Sequence, residues 1–249
     1  EIAKKLIFEA SKAKVDAIKF QTFKVENFIS LKEKKKFKKL KKFQLSKDEF
    51  YKLFLIAKKK KLKFISTPLD IQSAQFLGRF VDYFKIASGD NDYYELMETV
   101  FKFKKPTIIS TGLLKEREIG KLVNFVKKKK FKLKNLTLLH CVSNYPAKFK
   151  DLNLNFITKL KSKYGNKIKI GYSDHSVGLA APLCSFMLGS EVIEKHFTLD
   201  NNFSKFRDHK LSLNPKNLSL FVKKIQYIDE IFGEKKKIIL STEKKNLKF

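Results

Sequence analysis

The chain has 249 residues, of which 43% are hydrophobic and 13% aromatic, so it carries enough apolar material to exclude a wholly disordered protein. Its two cysteines, Cys141 and Cys184, are too few for a disulfide framework and are expected to be buried small side chains in a reducing, cytoplasmic setting. No apolar run approaches the roughly 18 residues that a membrane-spanning helix needs. We therefore expect a globular protein with no membrane partner.

The formal charge of +30, from 55 basic and 25 acidic side chains, suggests nucleic-acid binding at first sight. All of the basic residues except Arg79, Arg117 and Arg207 are lysine, whereas arginine makes the bidentate contacts with phosphate and guanine. The lysines also lie in separate clusters, which is typical of solvated helix ends. We therefore expect no nucleic-acid partner and keep a basic nucleic-acid-binding domain as the alternative of a different functional class.

In chain order, short apolar and β-branched segments alternate with longer amphipathic segments. The predicted strands cover residues 16–21, 63–67, 83–88, 107–111, 136–142, 168–173 and 191–197. The predicted helices cover residues 2–14, 46–61, 71–79, 92–103, 115–130, 151–164, 178–189 and 214–232. Ser46 with Glu49 resembles a capping box, and Asn214-Pro215 places a proline at a helix start. Strands and helices that alternate in this way predict parallel βαβ units.

The count of elements favours an α/β fold, a TIM (β/α)₈ barrel that lacks its first strand in this chain. Eight helices and seven strands are predicted and the chain opens with a helix, whereas in such a barrel a strand precedes each helix. A doubly wound open sheet is the alternative, but it would usually show a glycine-rich turn after an early strand. No linker rich in proline, glycine or serine divides the sequence, so one domain is expected.

Polar side chains stand at the C-terminal end of nearly every predicted strand, and in a barrel those ends meet at one mouth where active sites form. Lys19 and Lys85 lie within otherwise apolar strands, where an unpaired lysine is costly. With Ser88, Ser110 and Ser173 nearby, the two cations predict a site for a phosphate or carboxylate. The alternative is that each lysine extends its amine to solvent at the mouth.

Two histidines, His175 and His196, close consecutive predicted strands and are candidates to bind a divalent metal together with water and substrate. Spacing alone leaves this open, because a histidine is often a structural residue. Glu194 faces the same side of its strand as His196, where it either orients a ligand or pairs with a lysine inside the barrel. His140 is expected in the core, and Asp174 is expected to cap the turn that follows it.

Seven sequence strings occur in the order that is found in one known family. They are IKFQ, ISTP, FKIASGD, IISTG, LLHCVSNYPA, IGYSDHSVG and VIEKHFTLD, the last followed by DHKLSL. Together they resemble the N-acetylneuraminate (sialic acid) synthase family, which includes legionaminate and pseudaminate synthases and spore-coat relatives. The resemblance spans about residues 3–245, and each string lies at the end of a predicted strand.

The resemblance implies a transferase that condenses phosphoenolpyruvate with an N-acylated aldose, N-acetylmannosamine or a related sugar, and releases phosphate. His175 and His196 match the two protein ligands of a metal, usually manganese, with magnesium or cobalt as alternatives, which would polarise the sugar aldehyde. Lys19, Lys85 and Glu194 match residues of the catalytic centre. The positions that match phosphoenolpyruvate contacts are Thr67, Ser88, Ser110, Ser143 and Ser173. The positions that match sugar contacts are Gln21, Asp90, Tyr145 and Asp208.

A second enzyme interpretation is another phosphoenolpyruvate-using, aldolase-like barrel, such as a 3-deoxy-heptulosonate synthase. Such an enzyme would share the chemical logic, but it would not supply the pair of motifs SDH and EKHF that carries His175 and His196. The sialic-acid-type synthase is therefore the leading hypothesis.

The sequence departs from the family pattern at three places. The family has a strand before the opening helix, with an acidic residue in an EIGxNHxG-like segment, and a small C-terminal antifreeze-like domain. We therefore expect residues 1–235 to form the barrel domain without that strand and residues 236–249 to begin the linker; a homodimer is expected for the full-length protein. Asp90 stands where several members have glutamate, and KFRDH replaces the more usual PGPDH, which leaves the identity of the sugar open.

Overall fold

Parallel hydrogen bonding joins the apolar segments into one sheet that follows chain order. The computed structural model describes residues 1–204 and 206–247. In this part of the chain, seven strands pair in parallel in the order β1 to β7. They are β1 Ala17–Thr22, β2 Lys63–Pro68, β3 Tyr83–Ile86, β4 Thr107–Ser110, β5 Leu136–Cys141, β6 Lys169–Asp174 and β7 Val192–Lys195. Every predicted strand is confirmed, with its ends within two residues of the prediction.

Helices follow the strands, as expected for βαβ units. Over the described ranges they are α1 Ile2–Lys12, α2 Val25–Phe28, α3 Lys34–Lys41, α4 Lys47–Lys59, α5 Ile71–Leu77, α6 Tyr94–Lys102, α7 Glu116–Lys128, α8 Asn155–Tyr164, α9 Ala180–Met187, α10 Arg207–Leu211 and α11 Pro215–Phe232. The eight predicted helices are present, whereas α2, α3 and α10 were not predicted. The α3 sequence KKKFKKLK buries none of its side chains, so it has no apolar face that a sequence pattern could reveal.

The predicted helix starts are confirmed by their caps. The Glu49 amide donates to the Ser46 hydroxyl at 3.2 Å, and the Ser46 amide donates to the Glu49 carboxylate at 2.8 Å. The Asn217 amide donates to the Asn214 side chain at 3.0 Å, with a proline at the first helical position of α11. These bonds satisfy amides that would otherwise lack partners in the first turn.

The strands separate an apolar outer face from a polar inner face, because successive side chains point to opposite sides. On the outer face, Phe64, Phe84 and Tyr172 are fully buried beneath the helices. On the inner face lie the charged or hydroxyl side chains of Lys19, Lys85, Ser110, Ser173 and Glu194, which contact one another. Cys141 is buried as expected, but the expectation for Cys184 was wrong, because its position on α9 is exposed.

The sheet is curled, since side chains of its two edge strands meet. Lys19 on β1 lies 3.8 Å from Glu194 on β7, measured between Nζ and Oε2, although β1 and β7 share no ladder of hydrogen bonds in the described part. The α/β fold with a parallel, barrel-like sheet is thus confirmed, and the missing first strand stays a prediction. The predicted linker is exposed from residue 236 to 247, and residues 248 and 249 lie outside the described residues. Among the described residues, no helix combines the length and apolar character that a membrane crossing requires.

Candidate active site

Two lysines and a glutamate form the centre of the polar inner face. The Lys19 and Lys85 amines each lie 3.8 Å from one carboxylate oxygen of Glu194. Lys85 is almost fully buried and donates to the Ser110 hydroxyl at 2.7 Å and to the Ile86 carbonyl at 2.9 Å. Its amine therefore does not reach solvent, whereas the Lys19 side chain is 29% exposed. Two cations face one carboxylate, which leaves the cluster with capacity for an anion.

The ionisation of this cluster follows from burial and charge. Burial alone would raise the pKa of the Glu194 carboxyl, but Lys19 and Lys85, with the hydrogen bond from Ser173, outweigh it and lower the pKa to about 2. Burial lowers the pKa of Lys85, and Glu194 opposes that effect. A negatively charged ligand beside Lys85 would act in the same direction as Glu194 and favour the charged amine.

Hydroxyl groups lie at the same end of the sheet as the two lysines, and two of these hydroxyls lack a partner. The Ser173 hydroxyl donates to Glu194 at 2.8 Å, and the Ser88 hydroxyl accepts from the Gly112 amide at 3.2 Å. Among the described residues, the hydroxyl oxygens of Thr67 and Ser143 are buried with no hydrogen-bond partner. Because a buried hydroxyl without a partner is costly, these two groups indicate room for a ligand that accepts hydrogen bonds.

A glycine makes the approach of these hydroxyls possible. A Cβ atom at Gly112 would lie 2.4 Å from the Ser143 hydroxyl oxygen and 2.6 Å from that of Ser88. The Asn91 side-chain amide donates to the carbonyls of Ser110 at 3.1 Å and Gly112 at 2.8 Å, which holds the end of β4 in place. Sequence reasoning missed Asn91, whose only signal is its place just after the FKIASGD string.

The two predicted metal-binding histidines lie side by side next to this cluster. The ring centroids of His175 and His196 are 5.4 Å apart. His175 Nδ1 donates to the Val142 carbonyl at 2.8 Å, which leaves Nε2 as the ring nitrogen available to a ligand. Burial alone would lower the pKa of His175, but its contacts with Cys141 and the Val142 carbonyl outweigh burial and raise it, so a metal would bind Nε2 in competition with a proton. Burial, with Lys19 and His175, lowers the pKa of His196 to about 3, so its imidazole is neutral, as metal binding requires. No group of three or more His, Cys, Asp or Glu side chains able to hold a metal occurs within the described residues.

An aromatic ring and a charged pair lie over the histidines at the mouth. The Tyr145 ring centroid is 4.0 Å from that of His175, and the Arg207 guanidinium lies 4.6 Å from the Tyr145 ring centroid. Asp208 Oδ2 lies 3.9 Å from His196 Nδ1, while its buried Oδ1 has no hydrogen bond. Burial raises the pKa of Tyr145 to about 12, so its hydroxyl stays protonated and can donate to a ligand. Sequence reasoning named Asp208 of the KFRDH string as a sugar contact but assigned no role to Arg207, and Lys205 of that string lies outside the described residues.

Two of the predicted site residues lie at the edge of the cluster. Gln21 is exposed near the end of β1, on the face that carries Lys19, and it pairs in register with Thr67. Asp90 ends a short 3-10 turn after β3, where burial and then Asp92 raise its pKa while Lys85 lowers it. The structure thus gathers the predicted residues at one end of the sheet. Gln21 and Asp90 lie at the margin of this group.

Two further expectations concern residues behind the site. His140 lies in the core, where its Nε2 contacts the Leu152 carbonyl at 2.7 Å, as expected. Asp174 caps the following turn by accepting from the Ser176 amide at 2.8 Å, also as expected. The ion pair of Asp174 with Lys195 was missed, although Lys195, like Lys19 and Lys85, lies within a predicted strand.

Comparison with known proteins shows which family has these features in this order. The family model described as the NeuB family matches residues 6–237, nearly the whole chain. The chain belongs to the NeuB family. It is 38% identical to an N,N'-diacetyllegionaminic acid synthase of Campylobacter jejuni over 260 residues, an alignment that covers 99% of this chain and 77% of the relative.

Solved structures give the same assignment for this NeuB-family chain. A sialic acid synthetase from Leptospira borgpetersenii, solved with citrate, has a TM-score of 0.89 and 36% identity, and the match covers 98% of this chain and 84% of that one. A truncated 3-deoxy-D-arabino-heptulosonate 7-phosphate synthase from Thermotoga maritima has a TM-score of 0.72 at 13% identity, over 93% of this chain and 82% of that one. The second likeness shows a shared fold alone.

Proposed function

We propose that this chain is a nonulosonic acid synthase that condenses phosphoenolpyruvate with an N-acylated aldose, N-acetylmannosamine or a related sugar, and releases phosphate. The observation that carries the proposal is the buried Lys85 amine, which shares the Glu194 carboxylate with Lys19, among hydroxyls without partners and beside the pair of His175 and His196. Membership of the NeuB family supports the reaction type.

The lysine cluster is the proposed site for phosphoenolpyruvate. Lys19 and Lys85 would neutralise its phosphate and carboxylate charge, since charge-assisted hydrogen bonds in a water-poor site are strong. Hydroxyl donors are contributed to this end of the sheet by five strands or the loops that follow them: Thr67, Ser88, Ser110, Ser143 and Ser173. Ion pairs between Glu194 and the lysines at 3.8 Å are longer than a hydrogen bond, so the lysines keep donors for a ligand.

The histidine pair is the proposed metal site. Two adjacent imidazoles, with water and substrate in the remaining positions, fit a divalent ion such as Mn²⁺, with Mg²⁺ or Co²⁺ as alternatives. When bound, the ion would supply Lewis-acid polarisation of the aldehyde of the open-chain sugar. Tyr145 and Asp208, next to the histidines, and Gln21 and Asp90, at the edge, are the proposed contacts of the sugar.

The reaction proposed for these groups begins when C3 of phosphoenolpyruvate attacks the sugar aldehyde and forms the new C–C bond. Water then adds at C2, and the C–O bond to phosphate breaks, which leaves an α-keto acid and inorganic phosphate. Lys19 and Lys85 hold the phosphate through these steps and stabilise it as it leaves. Glu194 is ionised, because its pKa is about 2, and is positioned to accept a hydrogen bond from a hydroxyl of the sugar or from the added water.

A phosphate-release assay tests the proposal against a different aldol-type synthase with the same fold. The protein is incubated with phosphoenolpyruvate, Mn²⁺ and either N-acetylmannosamine, its 2,4-diacetamido relative or erythrose 4-phosphate, and products are identified by mass spectrometry. We expect phosphate and a nonulosonic acid only with an N-acylated sugar. Phosphate release with phosphoenolpyruvate and erythrose 4-phosphate, but with neither N-acylated sugar, would contradict the proposal and favour a 3-deoxy-heptulosonate synthase.

A further inference from the structure

A buried ion pair lies on the opposite face of the sheet from the lysine cluster. The Lys195 amine is 2.6 Å from Asp174 Oδ2, and the two side chains are 4% and 0% exposed. Neither residue faces the candidate site, because Ser173 and Glu194, one position earlier on each strand, point to the inner face. No step of the proposed reaction uses this pair.

Further hydrogen bonds hold both members of the pair. Asp174 Oδ1 accepts from the Tyr172 hydroxyl at 3.0 Å and from the Ser176 amide at 2.8 Å. The Lys195 amine also donates to the Ser176 carbonyl. Burial and the adjacent Asp174 raise the pKa of Tyr172, so its hydroxyl stays protonated and continues to donate. Tyr172 is itself fully buried, which fixes the carboxylate from one side while Lys195 fixes it from the other.

The position of the pair in the sheet connects it to the two histidines. Asp174 and Lys195 are partners in the register of β6 and β7, and each directly precedes one of the candidate metal ligands, His175 and His196. Strand β7 is an edge strand in the described part of the chain, with β6 as its hydrogen-bonded neighbour. The place of His196 relative to His175 therefore depends on how firmly the ends of β6 and β7 are joined.

Stability alone is a weak reason for such a pair. Two charges lose their hydration when they are buried, and replacement of a buried ion pair by apolar side chains is often neutral or stabilising. An ion pair that joins two strand ends does, however, fix the position of one strand end relative to the other. Removal of a side chain that contacts and orients a metal ligand commonly lowers metal affinity about 10- to 100-fold.

We propose that the Asp174–Lys195 pair, held by Tyr172 and Ser176, is a positioning element that sets the separation and orientation of His175 and His196. The proposal rests on the metal-binding role given to these histidines above. Asp174 and Lys195 touch neither substrate nor metal in this account; they act through the ends of β6 and β7.

The test compares three variants with the parent. Lys195→Met breaks the pair, and Asp174→Asn with Lys195→Met removes both charges while keeping an oxygen for the Tyr172 and Ser176 hydrogen bonds. Lys105→Met is the matched control, because Lys105 also has a pKa lowered by burial and donates to a carbonyl, that of Val81 at 2.8 Å, at the other end of the sheet. Mn²⁺ affinity is measured by calorimetry, melting temperature by circular dichroism, and the imidazole signals of the metal-free protein by long-range ¹H–¹⁵N correlation.

We expect Lys195→Met to weaken Mn²⁺ binding by at least about tenfold and to shift the imidazole signals of His175 and His196. The double variant is expected to regain thermal stability but not Mn²⁺ affinity. If the pair served stability alone, the double variant would regain both. Lys105→Met is expected to lose stability and keep both metal affinity and imidazole signals.

Three results would overturn the proposal. The first is Mn²⁺ affinity within twofold of the parent and unchanged imidazole signals in Lys195→Met. The second is an equal loss of affinity in Lys105→Met, and the third is recovery of affinity with stability in the double variant. If the parent itself fails to bind Mn²⁺, the proposed metal role fails, and the imidazole signals of the metal-free variants alone decide whether the pair positions the histidines.

Discussion

The two ends of the sheet hold the same kinds of charged side chain, buried or partly buried, in different surroundings. At the N-terminal end, Lys105 donates to the Val81 carbonyl at 2.8 Å, and Asp82 accepts from the Phe64 amide at 2.8 Å and from Lys58 at 3.1 Å. At the C-terminal end, Glu194 is held only at 3.8 Å from each of two lysines. The buried hydroxyls of Thr67 and Ser143 have no partner there.

This difference separates the charged groups that serve the fold from those that are available to a ligand. Polar groups that stabilise a fold are satisfied by nearby backbone or side chains, because each unsatisfied buried group costs about 1–3 kcal/mol. The C-terminal end leaves donors free next to the pair of histidines, which is the arrangement expected of a binding site. The variants below test this difference, from the largest expected effect to the smallest.

Loss of the Lys85 amine should have the largest effect. Lys85→Met removes the buried cation that faces the proposed phosphate, and we expect the rate of phosphate release to fall by about 10²- to 10³-fold or more. Lys105→Met, at the N-terminal end, should lose stability and keep the rate within about twofold of the parent, since that amine contacts only a carbonyl. Equal losses of phosphate-release rate in the two variants would show that the two ends of the sheet do not differ in function. Phosphate release under saturating substrate measures both.

Removal of both histidines should abolish metal binding. In the double variant His175→Ala, His196→Ala, Mn²⁺ affinity is expected to fall by more than about 100-fold. This loss exceeds the one expected when only a side chain that orients a metal ligand is removed. Chelation of metal from the parent should stop phosphate release, and added Mn²⁺ should restore it. Calorimetry of Mn²⁺ binding measures the affinities; an unchanged affinity in the double variant would refute the assignment of the metal site.

Crowding of the hydroxyl cluster should have an intermediate effect. In Gly112→Ala the new methyl group would meet the Ser143 and Ser88 hydroxyls at 2.4 and 2.6 Å, so both must move. We expect phosphoenolpyruvate affinity to fall about tenfold, in line with the cost of about 1–3 kcal/mol for overpacking.

The matched control for that variant is Gly120→Ala. Gly120 lies in α7, where a Cβ would meet only the Tyr164 hydroxyl oxygen at 3.8 Å. Alanine there should raise helix stability by about 0.5–1 kcal/mol and leave phosphoenolpyruvate affinity unchanged. Parent-like phosphoenolpyruvate binding by Gly112→Ala would show that these hydroxyls do not surround the ligand.

The smallest effect is expected for Arg207 at the mouth. Its guanidinium stacks on Tyr145, a proposed contact of the sugar, and its side chain is 64% exposed, so Arg207→Ala should remove a support of Tyr145 without opening the core. We expect the KM for the N-acylated sugar to rise by about two- to tenfold, with the KM for phosphoenolpyruvate unchanged. Arg117→Ala on the surface of α7 is the control, and steady-state kinetics in both substrates separate the outcomes. A rise confined to the KM for phosphoenolpyruvate would show that Arg207 acts on phosphoenolpyruvate binding and not on the sugar.

Much of the fold was predictable from the sequence, because each strand is an apolar segment of strand length and most helices carry a buried stripe. The gathering of Lys19, Lys85 and Glu194 at one end was also predictable, since all three lie on the inner face near strand ends. The helix α3 was not, because lysine repeats hide its helical period.

Contacts between distant residues account for what the sequence did not reveal. The pairing of Asp174 with Lys195 depends on the register of β6 and β7, which no local pattern specifies. The stacking of Arg207 on Tyr145 joins two loops far apart in the chain. The domain boundary, the identity of the metal, dimer formation and a cytoplasmic location stay predictions, as does the missing first strand.

Calorimetric titration of phosphoenolpyruvate tests the central claim, that the C-terminal end of the sheet is built to hold this anion. Parent protein, Lys85→Met and Lys105→Met are titrated in the same buffer with Mn²⁺ present. We predict saturable binding at one site by the parent and by Lys105→Met, and loss of that binding in Lys85→Met. Absence of binding by the parent, or equal binding by Lys85→Met and the parent, would contradict the account.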